Sequence, residues 1–149
     1  MIRKIVPDVI SGQTLHKVTP RDSVLAAASL MREKKIAAVL VMEDERLVGI
    51  ITERDMTSRV VAAGLNPESA ACGDIMTANP DTLSPDDTAS DAIAMMRLRN
   101  YRHLPVVKDE QVVGMVSVRD LYAVYNTELE EDLKERNAFI YGESYGAMQ

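Results

Sequence analysis

An internal repeat constrains this sequence more than any other feature. The segment 18–56 aligns without a gap with the segment 83–121, every position being shifted by 65 residues. Identical pairs include Pro20/Pro85, Gly49/Gly114 and Asp55/Asp120. A shorter similarity precedes each copy, between Asp8-Val9-Ile10 and Asp74-Ile75-Met76. The chain is therefore predicted to contain two copies of one small unit, which pack together because neither could bury a large core alone.

Each copy has the residue pattern of helix, strand, strand and helix. In the first copy, Asp22 or Ser23 is positioned to cap a helix whose apolar residues recur at helical spacing. Two apolar strand segments follow, joined by a polar hairpin turn, and Gly49 inside the second strand indicates a bulge or a close backbone approach. The segment 65–80 holds Pro67, Gly73 and Pro80, and is predicted to be a linker with one short turn.

Composition narrows the class of protein. The 149 residues are 46% apolar and carry a formal net charge of −6, which opposes binding to the phosphate backbone of a nucleic acid. No apolar run reaches the roughly 18 residues of a membrane-spanning helix, and the first residues do not resemble a signal peptide, so we expect a cytoplasmic location. Cys72 is the single cysteine, and His16 and His103 are the two histidines, which predicts neither a disulfide nor a metal site.

A repeated motif lies at the end of the second predicted strand of each copy. It reads Gly49-Ile50-Ile51-Thr52-Glu53-Arg54-Asp55-Met56 and then Gly114-Met115-Val116-Ser117-Val118-Arg119-Asp120-Leu121. A hydroxyl residue three positions before an acid is the pattern of a capping box at a helix start. On that helical turn the two side chains also share one face, where the carboxylate could accept hydrogen bonds from a ribose diol. Capping boxes favour Glu or Gln over the shorter Asp, which favours the ribose-binding interpretation.

Together with the strand Leu104-Pro105-Val106-Val107 and its approach Tyr101-Arg102-His103, this motif resembles the CBS domain. The resemblance covers residues 8–126. It implies an α+β fold of two tandem CBS domains, each a small sheet with two packed helices, related by pseudo-two-fold symmetry. We expect the first domain at 8–65, the second at 73–126, and a helical, aromatic-rich tail at 127–149.

The resemblance also implies a ligand site between the domains. Its candidate residues are Thr52, Arg54, Asp55, Thr82, Arg102, His103, Ser117, Arg119 and Asp120. The hydroxyl and carboxylate residues of the two motifs would hold ribose, Thr82 would line an adenine pocket, and the cationic residues would pair with phosphate. The first copy departs from this pattern, since Ala37 and Ala38 stand where the second copy has Arg102 and His103. No catalytic residue is implied.

The implied function is that of a regulatory sensor. An adenosine-containing ligand such as AMP, ADP, ATP, NAD or S-adenosylmethionine would bind between the domains and change their conformation or their affinity for an unidentified regulated protein. The alternative is a purely structural dimerisation module in which the motifs serve only as helix caps. We expect no enzymatic activity, because the sequence shows no P-loop, no dinucleotide glycine motif and no nucleophile paired with a base.

The tail has a composition different from that of the repeats. Leu121, Tyr125, Leu129 and Leu133 recur every four residues, so we expect the tail to continue the preceding helix. Its end gathers Phe139, Ile140, Tyr141 and Tyr145. Chain ends are often frayed, so these side chains either belong to a frayed terminus or dock on a partner, most simply a second copy of the chain in a homodimer. We expect a homodimer and no nucleic acid or membrane partner.

Overall fold

The computed structural model describes the backbone of residues 2–147 and the side chains of residues 2–140, so the predicted docking of Tyr141 and Tyr145 lies outside the described side chains. A π-helical turn, Ile5–Val9, precedes the first copy. The first copy contains β1 (Lys17–Val18), α1 (Val24–Lys34), β2 (Ala38–Glu43), β3 (Arg46–Thr52), and α2 (Glu53–Asp55), which continues as π-helical turns over Met56–Val61. The remaining elements are α3 (Cys72–Ile75), β4 (Thr77–Ala78), α4 (Ala89–Arg99), β5 (His103–Lys108), β6 (Gln111–Ser117) and α5 (Val118–Ala147).

The two copies share one pattern of strand pairing. In the first copy β1 is parallel to β2 and β2 is antiparallel to β3, within a four-stranded sheet of order β1-β2-β3-β4. In the second copy β5 and β6 form an antiparallel pair, and a parallel bridge joins Leu83 to Val106 where the first copy pairs Val18 with Val41. The register shifts after Val41 of β2, because β3 has an extra residue there, Val48, and it shifts in the same way after Val106 of β5, where the extra residue of β6 is Val113. The two copies thus repeat the same residue-by-residue strand pairing as well as the same sequence. The predicted α+β fold is confirmed.

Local sequence explains why the copies fold alike. Ser23 and Thr88 cap α1 and α4 with their side-chain oxygens, which accept from backbone N–H groups three residues later. Both hairpin turns are Asp-Glu pairs in which the two central residues have positive φ, Asp44-Glu45 and Asp109-Glu110. Two central residues of that conformation match the right-handed twist of the flanking strands.

The two copies exchange the segments that precede them, which we call the first lead-in (residues 2–10) and the second lead-in (residues 70–78). The N–H of Ile5 donates to the carbonyl of Asp87 at 2.8 Å, and the N–H of Cys72 donates to the carbonyl of Asp22 at 2.8 Å. The first lead-in thus lies on the second copy, and the second lead-in lies on the first. The linker with one short turn predicted at 65–80 is only part of what this segment forms: α3 is the short turn, and the segment also supplies a strand, β4, that pairs with β3.

Each hydrophobic core reflects this exchange. Ile5 and Ile10 of the first lead-in are buried with Leu83, Leu104 and Leu121 of the second copy. Cys72 and Ile75 of the second lead-in are buried with α1, β2 and β3 of the first copy. The domain ranges 8–65 and 73–126 stay predictions about where the sequence units divide, whereas each packed core combines residues from two separate parts of the chain.

Gly49 and Gly114 lie at the contact between each sheet and its lead-in. A Cβ atom on Gly49 would collide with the side chain of Met76 and would lie 3.0 Å from the carbonyl oxygen of Thr77. A Cβ atom on Gly114 would lie 2.5 Å from Cδ1 of Ile10. Gly49 also pairs with Val41, where the bulge begins. Both the close approach and the bulge predicted for Gly49 are therefore confirmed.

The last helix runs well past the second repeat. As expected, the tail continues α5 without a break after the second motif. Arg3 of the first lead-in contacts it, with Nε 2.9 Å from Oε1 of Glu128 and Nη2 3.3 Å from Oε2 of Glu131. Further along, Leu129 and Leu133 are more than half exposed. Contacts with the core thus hold the start of α5, while its later turns present apolar side chains at the surface.

Candidate functional site

The first motif lies where β3 gives way to α2. The Asp55 carboxylate accepts from the Thr52 backbone N–H at 2.9 Å and from the Thr52 hydroxyl at 3.3 Å, through the same oxygen, Oδ2. In return, the Thr52 hydroxyl accepts from the Asp55 backbone N–H at 3.4 Å. These bonds form a complete capping box, which fixes the direction in which the helix leaves the strand.

The second motif repeats this geometry at the junction of β6 and α5. Oδ2 of Asp120 accepts from the Ser117 N–H at 2.8 Å and from the Ser117 hydroxyl at 3.0 Å. The Asp120 N–H donates to that hydroxyl at 3.2 Å. Asp is expected to reach back less easily than Glu or Gln, which counts against a capping box, but the carboxylate reaches the N-cap N–H in both copies. Capping occupies one carboxylate oxygen, so the other oxygen of Asp120 is left for a further partner.

The environments of the two carboxylates differ. Asp55 is only 8% exposed, and its second oxygen, Oδ1, lies 3.6 Å from Nε of Arg59. Nη1 of Arg59 also donates to the carbonyl oxygens of Ile75 at 3.2 Å and Met76 at 2.9 Å, in the second lead-in. Asp120 is only partly buried and borders an open pocket of about 240 Å³ between α5 and the first lead-in. Sequence reasoning missed Arg59, which lies past the end of the aligned segment.

His103 lies beside the second motif. It pairs with Ser117 across β5 and β6, and its Nδ1 is buried without a hydrogen-bond partner among the described residues. Burial lowers the pKa of His103, while Asp120 and Glu53 oppose this and Arg102 adds to it. The ring is therefore neutral near pH 7 without ligand, and the predicted cationic contact with phosphate requires either acid conditions or the phosphate itself. We call His103 and the charged groups that act on it, Asp120, Glu53 and Arg102, the His103 cluster. Because Glu53 belongs to the first copy, this cluster joins both copies.

The arginines of the candidate site lie in three settings. Arg54 spans the repeats, because its Nη1 donates to the carbonyl oxygen of Asn100 at 3.1 Å, at the C-terminal cap of α4. Arg102 is exposed just before β5, and its carbonyl accepts from the Val118 N–H at 2.9 Å. Arg119 is exposed in the first turn of α5. Of the three, Arg102 lies nearest to His103 in sequence, which suits its place in the His103 cluster.

Thr82 lies at the edge of the second sheet. It is exposed and precedes Leu83, whose N–H donates to the carbonyl of Pro105 at 2.8 Å. Because Leu83 runs parallel to β5, the residues before it lie toward the end of the sheet that holds His103 and Ser117. Thr82 is therefore at the same end of the sheet as the second motif.

Cys72 has a structural position rather than a reactive one. It is fully buried in α3, its thiol donates to the carbonyl oxygen of Ser23 at 3.4 Å, and burial raises its pKa to about 11. A thiol of that pKa is protonated at neutral pH and is a weak nucleophile. Within residues 2–147, no helix is both long and apolar enough to cross a membrane.

Comparison with known proteins identifies relatives of both repeats. The family model of the CBS domain matches residues 2–62 and 72–126. The mitochondrial CBS domain-containing protein CBSX3 of Arabidopsis thaliana is 35% identical over 129 residues, covering 83% of this chain and 63% of that protein. The chain therefore spans less than two thirds of that relative.

Solved structures share the fold. A protein with CBS domains from Burkholderia ambifaria is 35% identical, with a TM-score of 0.72 over 74% of this chain and 82% of that one. A CBS domain protein from Pyrobaculum aerophilum, solved in complex with AMP, is 24% identical, with a TM-score of 0.68 over 74% of this chain and 85% of that one. The predicted tandem arrangement of two such domains is confirmed.

Proposed function

Because the chain belongs to the CBS-domain family, we propose that it is a regulatory module that binds an adenosine-containing nucleotide beside its second motif. The observation that carries this proposal is the second motif, in which Asp120 uses one carboxylate oxygen as a helix cap and borders an open pocket. The remaining oxygen is available to accept hydrogen bonds from a ribose diol. The AMP complex of the Pyrobaculum protein supports adenosine as the ligand class.

The phosphate end of the ligand would meet the His103 cluster. Arg102 supplies a fixed cationic fork at the surface, and the unpaired Nδ1 of His103 offers a buried group that a phosphate could satisfy. Arg119, at the start of α5, is a further candidate for the phosphate, and Thr82 for the adenine wall. Arg54 would act from the first repeat, where its bond to Asn100 couples the two repeats.

Ligand binding would regulate by changing how the repeats pack. Glu53 of the first repeat and His103 of the second lie close enough for the carboxylate to affect the pKa of the imidazole. A phosphate at His103 would alter this electrostatic interaction between the repeats. The size of the resulting shift cannot exceed the difference in ligand affinity between the two arrangements. We propose that this change in packing alters the affinity of the chain for another protein. We further propose that the chain forms a homodimer through the exposed turns of α5. It has no catalytic role in this proposal, and it works in the cytoplasm.

A second function is favoured by the two complete capping boxes. In that function the motifs only terminate strands and start helices, and the protein is a structural dimerisation module. A thermal-shift panel with AMP, ADP, ATP, NAD and S-adenosylmethionine separates the two. A ligand at 100 times its dissociation constant adds about 2.7 kcal/mol to the free energy of unfolding. If none of the five raises the melting temperature at millimolar concentration, the structural function stands and the sensor proposal is wrong.

A matched pair of variants tests the site itself. Asp120→Asn keeps a carbonyl oxygen for the cap but removes the charge that strengthens a ribose contact, so nucleotide binding should weaken while the protein stays folded. Asp91→Asn makes the same change in the capping box of α4, where Asp91 accepts from the Thr88 N–H at 2.9 Å. Nucleotide affinity should be unchanged in that control. Equal effects of the two variants on affinity would contradict a direct role for Asp120.

A further inference from the structure

The two motifs are not equivalent as binding sites, because the residue one helical turn after each aspartate differs. Arg59 follows Asp55, and Val124 occupies the corresponding position after Asp120. The Arg59 side chain, which is 49% exposed, extends across the gap between its helix and the second lead-in, where it forms an ion pair with Asp55 and donates to the carbonyl oxygens of Ile75 and Met76. Val124 lines the pocket of about 240 Å³ between α5 and the first lead-in. The corresponding gap is thus crossed by an arginine side chain in one copy and open in the other.

The lead-ins dock alike, so this comparison is between equivalent places. The N–H of Val24 donates to the carbonyl of Ala70 at 2.9 Å, and the N–H of Ala89 donates to the carbonyl of Arg3 at 2.8 Å. Together with the bonds of Ile5 and Cys72 described above, these anchor the start of each lead-in at the same place on the opposite copy. After that start the first lead-in has one more residue, in the segment Ile5–Val9 that supplies Asp8 and Val9 to the pocket, where α3 has four residues. The open pocket thus combines a valine at position 124 with a longer turn of the lead-in.

The Arg59 guanidinium has three acceptors near Asp55: Oδ1 of Asp55 and the backbone carbonyl oxygens of Ile75 and Met76. One carboxylate oxygen is held by the cap, the other faces the Arg59 guanidinium, and the carboxylate is nearly fully buried. A ribose at Asp55 would have to displace the guanidinium and leave the carbonyls of Ile75 and Met76 without that donor. At Asp120 a ribose meets no such competitor, since a valine side chain offers no hydrogen bond.

We propose that Arg59 closes the first site and that the chain binds a single adenosine nucleotide, at Asp120. Arg59 is therefore a residue that determines how many nucleotides each chain binds and at which motif. Its replacement by valine should convert the one-site protein into a two-site form of the same fold. This inference rests on the proposed function. It also agrees with the first copy having Ala37 and Ala38 where the second has Arg102 and His103.

Calorimetric titration with AMP tests the proposal, using the full chain and reciprocal exchanges between the copies. Wild type should bind one AMP per chain. Arg59→Val should add a second, weaker equivalent, and Val124→Arg should weaken the wild-type site by at least about tenfold, since it places a guanidinium against Asp120. Asp55→Asn should leave wild-type binding unchanged but should remove the second equivalent from the Arg59→Val variant. Thermal melts of each variant identify any that fail to fold, and Asp55→Asn alone then keeps the proposal testable.

The outcomes separate this inference from the function on which it rests. Two equivalents of AMP in wild type, or a tenfold loss from Asp55→Asn alone, would overturn the closed first site while leaving the nucleotide-binding function intact. One equivalent that binds at least about tenfold more weakly in Val124→Arg and with unchanged affinity in Asp55→Asn supports both. If wild type binds neither AMP nor any other nucleotide of the panel, the proposed function fails and the inference fails with it.

Discussion

The backbone N–H of Ile5 donates to the carbonyl oxygen of Asp87, 82 positions later in the chain, at 2.8 Å, and the Ile5 side chain is fully buried among residues of the second repeat. This contact makes the first lead-in part of a core whose other members begin at Leu83. The second lead-in makes the reciprocal contact with the first repeat. The two repeats are thus joined by exchange as well as by surface packing, and neither core is complete without a segment that lies far away in sequence.

Ile5→Ala should therefore destabilise the protein strongly. Truncation of a fully buried isoleucine costs about 2–5 kcal/mol, because it removes apolar contacts and leaves a cavity. Ile2→Ala is the control, since Ile2 is 79% exposed and its truncation should change stability by no more than about 0.5 kcal/mol. Urea denaturation of both variants measures the difference. Equal stability of the two variants would show that the first lead-in does not belong to the second core.

A methyl group added at Gly49 should lower the free energy of unfolding more than the same group added at Gly114. At Gly49 it meets the Met76 side chain and a backbone carbonyl, that of Thr77, which cannot move without shifting β4. At Gly114 it meets only the ends of the Ile10 and Gln13 side chains, whose displacement does not require a backbone shift. We expect Gly49→Ala to lower the free energy of unfolding by about 1–3 kcal/mol and Gly114→Ala by less. The opposite order would contradict the backbone contact at Gly49.

The free energy of unfolding should fall as the pH drops through the range in which His103 titrates. Burial holds the pKa of folded His103 below its usual 6.5, so the unfolded chain binds the proton more readily. The stabilising contribution of the neutral ring is complete above about pH 6.5 and is lost as the pH falls below that value. Denaturation at pH 7.5 and 5.5 measures this loss for wild type and for His103→Gln, which retains His16. If both proteins lose the same stability, His103 is not the responsible group.

Arg102→Ala should weaken the binding of AMP far more than the binding of adenosine. A hydrogen bond to a charged group contributes about 1.5–3 kcal/mol, so the loss of the guanidinium should reduce AMP affinity about 10- to 100-fold. Adenosine lacks the phosphate, and its affinity should change little. Calorimetry with both ligands makes the comparison within one variant. An equal loss for AMP and adenosine would show that Arg102 supports the fold rather than the phosphate.

Removal of the residues after Arg136 should leave the repeat cores folded. Leu121 of α5 is buried in the second core, Glu128 and Glu131 pair with Arg3, and the Tyr125 hydroxyl lies 3.3 Å from the Ser90 hydroxyl, and these contacts precede the truncation point. The change in free energy of unfolding should stay within about 0.5 kcal/mol. Dimer formation should suffer, because Phe139 and Ile140, which are 67% and 58% exposed, would be removed. Light scattering and urea denaturation test this, and loss of the cooperative transition or an unchanged dimer would contradict the assigned role of the tail.

The sequence by itself determined the repeat, the α+β class, the family and the positions of both motifs. These features depend on local pattern: an alternation of helix and strand segments, caps such as Ser23, and Asp-Glu turns recur at a constant spacing of 65 residues. A repeated pattern of this kind is visible without knowledge of any distant contact. The continuation of the second motif into α5 was predictable for the same reason, since its apolar residues keep one helical period.

Only the tertiary structure decided which segments complete which core and which motif is open. The exchange of lead-ins depends on hydrogen bonds between residues 46 or more positions apart, such as Val24 to Ala70, and no local pattern encodes that pairing. The difference between Asp55 and Asp120 likewise depends on where the Arg59 side chain extends. The sequence does not show whether a helical arginine points into solvent or places its guanidinium against a buried carboxylate. Local periodicity determines the elements, whereas burial and long-range polar contacts determine the site.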